Sequence, residues 1–372
     1  MDYKNLFLCA ITILSLSTLV IAQADDSLVV PSSSTFVVMP LINNNPVMKT
    51  SFGGIGMYLF DANKKDTISP PSTVMLMGLY STNKSYIFLL PTALFLNDDY
   101  FRITGAVMTS RINNSFVYDY EGNDVTLVYS ELRWMYIAEF SVQLLNNFYT
   151  GLMYTGFQTK YKFDEGSADE NNITQSLFNQ LGVEDNFTSS IGVKLSYDSR
   201  DYIYNASQGF NGTLRSMYFA KWLGSTNEYA SIAYDFKYYH SLDSNNVLAG
   251  MLSGGNSVGD VPFSGYQVYG MRSSLRGYPT GKYRGENMLA LQVEYRWNFY
   301  GRWGLVGFAG IGSIWGGENQ QTEEVFEKQS LPSVGLGLRF MLSEERKINA
   351  RIDYAWGKDG NEGLYLSIME AF

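Results

Sequence analysis

Along the C-terminal half of the chain, apolar and polar residues alternate with a period of two. In 289–297 the odd positions are Leu289, Leu291, Val293, Tyr295 and Trp297, and the even ones are Ala290, Gln292, Glu294 and Arg296. From 334, Val334, Leu336, Leu338, Phe340 and Leu342 alternate with Gly335, Gly337, Arg339 and Met341. Ile348, Ala350, Ile352, Tyr354 and Trp356 oppose Asn349, Arg351, Asp353 and Ala355 in the same way. In the last ten residues, GLYLSIMEAF, Leu364, Leu366, Ile368 and Phe372 alternate with Tyr365, Ser367, Met369 and Ala371. The rhythm recurs upstream in 191–198 and 230–238. Side chains on a strand point alternately to opposite faces, so each segment reads as a strand with one apolar face and one small or charged face. Segments 52–60, 72–80, 84–96, 100–112 and 124–143 read as further strands between turns of Asn, Asp, Ser and Pro. Residues 164–188 form an acidic, polar stretch that reads as a long loop.

Two all-β architectures fit such a pattern. A soluble sandwich would bury the apolar faces and wet the polar ones. A transmembrane antiparallel β-barrel would turn the apolar faces to lipid. Three features favour the barrel. The segments run about 9–11 residues, the length of a tilted membrane strand. Several apolar faces end in Tyr or Trp (Tyr295 and Trp297, Tyr354 and Trp356), as an interfacial girdle requires. The sequence also closes on an apolar strand with a final aromatic residue, in which Glu370 falls on the lipid-facing parity and is expected at the membrane rim, where a charge is tolerated.

The first 24 residues read as a secretory signal. Lys4 supplies the positive region, Leu6 to Ile21 the apolar core, and Ala22-Gln23-Ala24 a small-x-small cleavage site before Asp25-Asp26. The only cysteine, Cys9, lies inside that apolar core, so the remaining residues 25–372 contain no thiolate and no cysteine metal site. No later stretch is apolar for about 18 residues, so no spanning helix is expected. At roughly 21 residues per strand and connection, the 372 residues less 24 give close to 16 strands. Aromatic residues make up 15% and charged residues 17%, with 35 glycines, and a net charge of −9 argues against nucleic acid as a partner.

Enzymatic constellations are incomplete. Gly255-Asn256-Ser257-Val258-Gly259 has nucleophile-elbow spacing, but the single histidine, His240, precedes it, and the stretch reads as a glycine-rich loop. One histidine and no cysteine make no transition-metal set, and no cofactor is implied. His240, at a strand end, reads as a rim residue.

The most specific stretch is 258–297, in which VPF leads to LRGY (Leu275, Arg276, Gly277, Tyr278), then to KYRG, then to a strand carrying an inward Glu294. With YDSRD (Tyr197 to Asp201) followed by Gly209, GLVGFAGIG at 304–312 and the terminal strand, this resembles the Omp85 superfamily of surface-antigen barrels of the BamA/TamA type. The resemblance is strong over 189–372 and general over 33–165. It implies one Omp85-type barrel of about 16 strands over 25–372 in a bacterial outer membrane, with 258–284 folded into the lumen and latched by Leu275, Arg276, Gly277 and Tyr278. The family's usual acidic partner position is Gly310 here, so Glu294, and less directly Asp353, are the candidate partners of Arg276. Leu364, Leu366, Ile368 and Phe372 match the family's assembly signal and would form one side of a seam between 34–41 and 364–372.

Residues 25–33 leave too little chain for the POTRA domains that usually precede such a barrel. The resemblance thus implies an accessory barrel that inserts or translocates protein or lipid through that seam, with outer-membrane lipid and periplasmic or other outer-membrane proteins as partners. A passive solute pore and a structural barrel within an envelope complex are the alternatives, and no enzyme activity is expected.

Overall fold

The structure is a computed structural model, and it describes residues 34–45, 48–120, 123–162, 176, 184–269, 275–278, 283–317 and 330–372. The expected signal sequence at 1–24, most of the acidic loop and parts of 258–284 lie outside them. Among the described residues eighteen strands are formed. The first seven are β1 (Thr35–Asn45), β2 (Lys49–Phe60), β3 (Ser72–Ser81), β4 (Tyr86–Leu96), β5 (Phe101–Tyr120), β6 (Asn123–Leu145) and β7 (Phe148–Lys162). There follow β8 (Asn186–Asp198), β9 (Gly209–Phe219), β10 (Tyr229–Ser241) and β11 (Asn246–Gly259). A short ribbon, β12 (Gln267–Val268) with β13 (Arg284–Gly285), stands in the connection to β14 (Asn287–Tyr300). The last are β15 (Trp303–Trp315), β16 (Leu331–Ser343), β17 (Ile348–Gly357) and β18 (Glu362–Ile368).

Apart from the ribbon, sixteen strands make one sheet in sequence order, each antiparallel to the next. The alternation read from the sequence becomes the two faces of this sheet. Leu291, Val293, Tyr295, Trp297, Val334 and Leu336 are exposed on the outside, while their neighbours Gln292, Glu294 and Arg339 are buried within. An outer surface of exposed Leu, Val, Phe, Tyr and Trp on strand after strand far exceeds the apolar patches of soluble proteins and suits lipid as solvent. No helix among the described residues is long and apolar enough to cross a membrane. The sandwich reading fails because the polar face is the enclosed one.

Some element boundaries differ from those the sequence suggested. β5 and β6 run well past their outer neighbours: β4 pairs with β5 only as far as Arg111, and β7 joins β6 only from Ser130. Residues 114–120 and 123–129 therefore pair only with each other as a two-stranded extension. The GNSVG stretch is not a loop. It completes β11, where Ser257 is buried and Gly254 lies opposite Tyr234.

The two ends of the sheet meet differently from all other neighbours. No ladder joins β1 to β18 among the described residues. Instead Val37, Leu41, Ile55, Met57 and Leu59 share one apolar cluster with Ile348 and Ile368. The first five are on the inner parity of β1 and β2, whereas Ile348 and Ile368 are on the outer parity of β17 and β18. The first strands thus lap against the last through side chains, chiefly apolar ones, and beside them Arg346 in the turn before β17 pairs with Asp61 after β2 at 3.1 Å.

Candidate functional site: a lumen loop latched to the barrel wall

The connection from β11 to β14 leaves the rim at Gly259 (φ 110°), passes the β12–β13 ribbon and returns its tip to the inner wall. Leu275, Arg276 and Tyr278 at the tip are all buried. Leu275 sits in an apolar cluster with Tyr269, Tyr278, Met288, Ala290, Ile314 and Leu331. Its seat exists because the wall opposite is glycine. A Cβ on Gly310 would lie 2.9 Å from Leu275 Cδ1, and one on Gly312 would lie 2.8 Å from Cδ2. Gly310, the position where the family pattern carries an acid, is here the floor for this leucine.

Arg276 takes its charge partners from two strands. Its Nη2 donates to Glu294 Oε2 on β14 at 2.6 Å, and its Nη1 donates to Asp353 Oδ2 on β17 at 2.6 Å. Nε donates to Gln292 Oε1 at 3.3 Å, and the guanidinium carbon lies 3.5 Å from the centre of the Phe308 ring. The Arg276 carbonyl accepts from the Ser333 hydroxyl. A guanidinium cannot shed its proton, so burial is tolerable only with opposed charge and hydrogen bonding, and this pocket supplies two carboxylates and a partner for each of the three nitrogens. Gly277 (φ 100°) makes the turn that follows. A Cβ there would meet the Trp356 carbonyl carbon at 3.0 Å, so glycine is required by both conformation and space. Its N–H donates to the Tyr365 hydroxyl at 2.8 Å, and Tyr278 Oη donates to the Pro332 carbonyl at 2.5 Å.

The same carboxylates reach further. Glu294 Oε1 accepts from Arg296 at 3.0 Å, and Asp353 accepts from Arg339 at 2.5 Å and Arg351 at 3.1 Å. Arg339 in turn donates to Glu370 at 2.7 Å, and Asn349 donates to the other Glu370 oxygen at 2.7 Å. Arg296 donates to the carbonyls of Phe372 at 2.7 Å and Ala206 at 3.2 Å. One chain of charge therefore runs from the loop tip down the wall to residues at the opposite mouth.

That mouth holds the second loop. In 199–208, Arg200 Nε donates to Asp198 at 2.8 Å, and Asp198 also faces Arg102 at 3.3 Å. Tyr204 Oη reaches across to the Pro71 carbonyl at 2.6 Å, and Ala206 packs with Tyr239, Ala371 and Phe372. The YDSRD stretch thus ties one loop across the mouth. Gly209 (φ 111°) closes the turn, since a Cβ there would fall 2.3 Å from the Ser199 carbonyl oxygen.

The sequence-derived residues divide accordingly. Leu275, Arg276, Gly277, Tyr278, Glu294 and Asp353 come together in one buried site. Leu364, Leu366 and Ile368 lie on β18, with Ile368 in the seam cluster. Phe372 does not join them. Met369 adopts φ 71°, the strand stops, and residues 370–372 turn into the lumen. Glu370 is accordingly an internal partner of Arg339 and not a rim charge on the lipid side. Arg296 and Arg339 were legible as inner-face residues, but nothing in their spacing reveals which acids they meet. His240 is exposed on β10 and stacks on Tyr238. Among the described residues no group of His, Cys, Asp and Glu is arranged to hold a metal ion.

A nearly closed, sixteen-stranded antiparallel barrel with an apolar exterior is the architecture of an outer-membrane β-barrel. The model of the Omp85 superfamily domain matches residues 77–372, and the chain belongs to that superfamily. Among solved structures it is similar to BamA from Haemophilus ducreyi lacking POTRA domains 1–3 (TM-score 0.54, 15% identity, 91% of this chain and 69% of that one). It is also similar to CdiB from Acinetobacter baumannii (TM-score 0.57, 12% identity, 92% of this chain and 60% of that one). CdiB from Escherichia coli gives a TM-score of 0.58 at 12% identity, over 92% of this chain and 62% of that one. The chain thus spans under two thirds of either CdiB chain. No curated protein matches the sequence.

Proposed function

We propose that this barrel resides in the bacterial outer membrane and passes client protein or lipid laterally, through parting of β1 from β18, with the loop at 258–284 as a lumen plug held by Arg276. The observation that carries this reading is the junction itself. Every other neighbouring pair of strands is joined by a hydrogen-bonded ladder, and this pair is joined by side-chain packing. Each backbone hydrogen bond absent from a junction lowers the barrier to separating it, particularly where water cannot substitute. The charged chain from Arg276 to Arg339 and Glu370 links the plug to the residues that follow β18, so the loop and the seam share partners.

A passive solute pore is supported less, because one loop enters the lumen and another crosses the opposite mouth. The deciding experiment places cysteines on β1 and β18 in a Cys9→Ser background and joins them with a short bis-methanethiosulfonate crosslinker, whose two disulfides are cleaved by reduction. Crosslinking is expected to abolish client insertion into vesicles and to restore it on reduction. A barrel whose only activity is a steady, size-selective conductance that ignores the crosslink would be a pore, and the lateral reading would fall.

A further inference from the structure

The inner wall of the first strands is unlike the rest of the lumen. From Ser51 to Phe95 the inner parity of β2, β3 and β4 carries no charged side chain. Met75, Met77, Leu79, Ile87 and Leu89 are only partly buried there, as is Met39 beside them on β1. Elsewhere the inner face presents ions and their partners, as at Glu139 with Lys194 and Asp235 with Arg215, or an apolar seat already covered by the loop tip, as at Met288 and Ile314 under Leu275. An apolar wall left open to an otherwise polar lumen carries a standing solvation cost that a stable packed core would avoid.

We propose that the inner wall of β2–β4 is a groove for the acyl chain of a membrane lipid, entered at the junction of β1 and β18. Three observations carry it. The wall is continuous with that junction, because Met39, Met75, Met77 and Leu79 pack on the same cluster as Val37, Leu41 and Ile368. Its backbone is engaged in the ladders to either side, save where Pro91 interrupts the pairing opposite Met75 and Leu76, so it offers side chains and almost no free strand edge. A hydrocarbon chain needs no hydrogen-bond partner, whereas a polypeptide laid on this wall would leave its own amides unpaired. Methionine is also prominent, and its unbranched, polarizable side chain adapts to occupants of varying shape.

The route of entry rests on the lateral reading above, and the groove itself does not. In a Cys9→Ser background, Leu89→Cys places one reporter on the inner face and Phe88→Cys places another on the exposed outer face of the same strand. Each is labelled with an environment-sensitive fluorophore and reconstituted into phosphatidylethanolamine and phosphatidylglycerol vesicles. The vesicles contain a lipid with a nitroxide on its acyl chain. Quenching at position 88 reports the surrounding bilayer and checks that the barrel is inserted. We expect quenching at position 89 within about twofold of that at 88, reflecting hydrocarbon held inside the wall. Met75→Gln with Met77→Gln should lower it at 89 and leave 88 unchanged. Full quenching at 88 with none at 89 overturns the groove. Quenching at 89 that survives a β1–β18 crosslink applied before reconstitution upholds the groove and removes the seam as its entrance.

Discussion

Arg276 and Asp353 stand 77 positions apart in the chain and meet at 2.6 Å inside the barrel, with Glu294 closing the other side of the guanidinium at 2.6 Å. Neither carboxylate can be removed without leaving charge uncompensated, and neither serves Arg276 alone. Four consequences can be measured.

Arg276→Ala should destabilise the folded barrel by about 3–5 kcal/mol, because two buried carboxylates lose a shared partner. Urea unfolding in lipid vesicles measures the loss. Combining Arg276→Gln with Glu294→Gln and Asp353→Asn should cost less than the sum of the three single changes, since interacting charges are not additive. Strict additivity would show that the latch is not a unit.

Gly277→Ala should unseat the loop tip at a cost of about 1–3 kcal/mol, since the added methyl meets β17 backbone and strains a positive φ. A cysteine in place of Val268, half-buried in the ribbon, should then react faster with a thiol reagent. Unchanged labelling would mean that the tip is held by its flanking tyrosines alone.

Glu370→Gln should loosen residues 370–372, because Arg339 loses a charged partner, and should expose a cysteine placed at Ala371. Met369→Gly should stabilise the same turn by about 1 kcal/mol, since the left-handed conformation at Met369 is unfavourable for a side chain. Met369→Val should do the reverse. If all three behave alike, the inward turn is not a determinant of the last strand.

The mouth loop should respond to acid in one direction. Burial pushes the Asp201 carboxyl up, but the Ser207 hydroxyl and the N–H groups of Ser207, Gln208 and Tyr202 donate to it and hold it below its ordinary value of 3.8. Its ionised form is favoured in the folded state, so its contribution is complete above 3.8 and is lost as pH falls through the lower folded value. Amide exchange protection at Ser207 and Gln208 should be level near neutral pH and decline only below the ordinary carboxylate range. Asp201→Asn should remove that step.

The sequence by itself determined the strands and their faces. A two-residue period survives any detail of packing, so Leu291, Val293 and Tyr295 were bound to one side and Gln292, Glu294 and Arg296 to the other. LRGY was also legible, but only through the resemblance that it and its flanking stretches bear to the Omp85 loop tip, since four residues alone would read as a surface turn. Register across distant strands was not legible. Glu294 and Asp353 meet Arg276 only because β14 and β17 curve around one lumen, and no local pattern encodes that closure. Parity also fails where a strand ends: one left-handed residue, Met369, moves Glu370 from the outer face to the interior and takes Phe372 with it. The sequence thus determined which side chains share a face. Only the closed sheet decided which of them share a charge, and it left one junction, between β1 and β18, held by packing without a ladder.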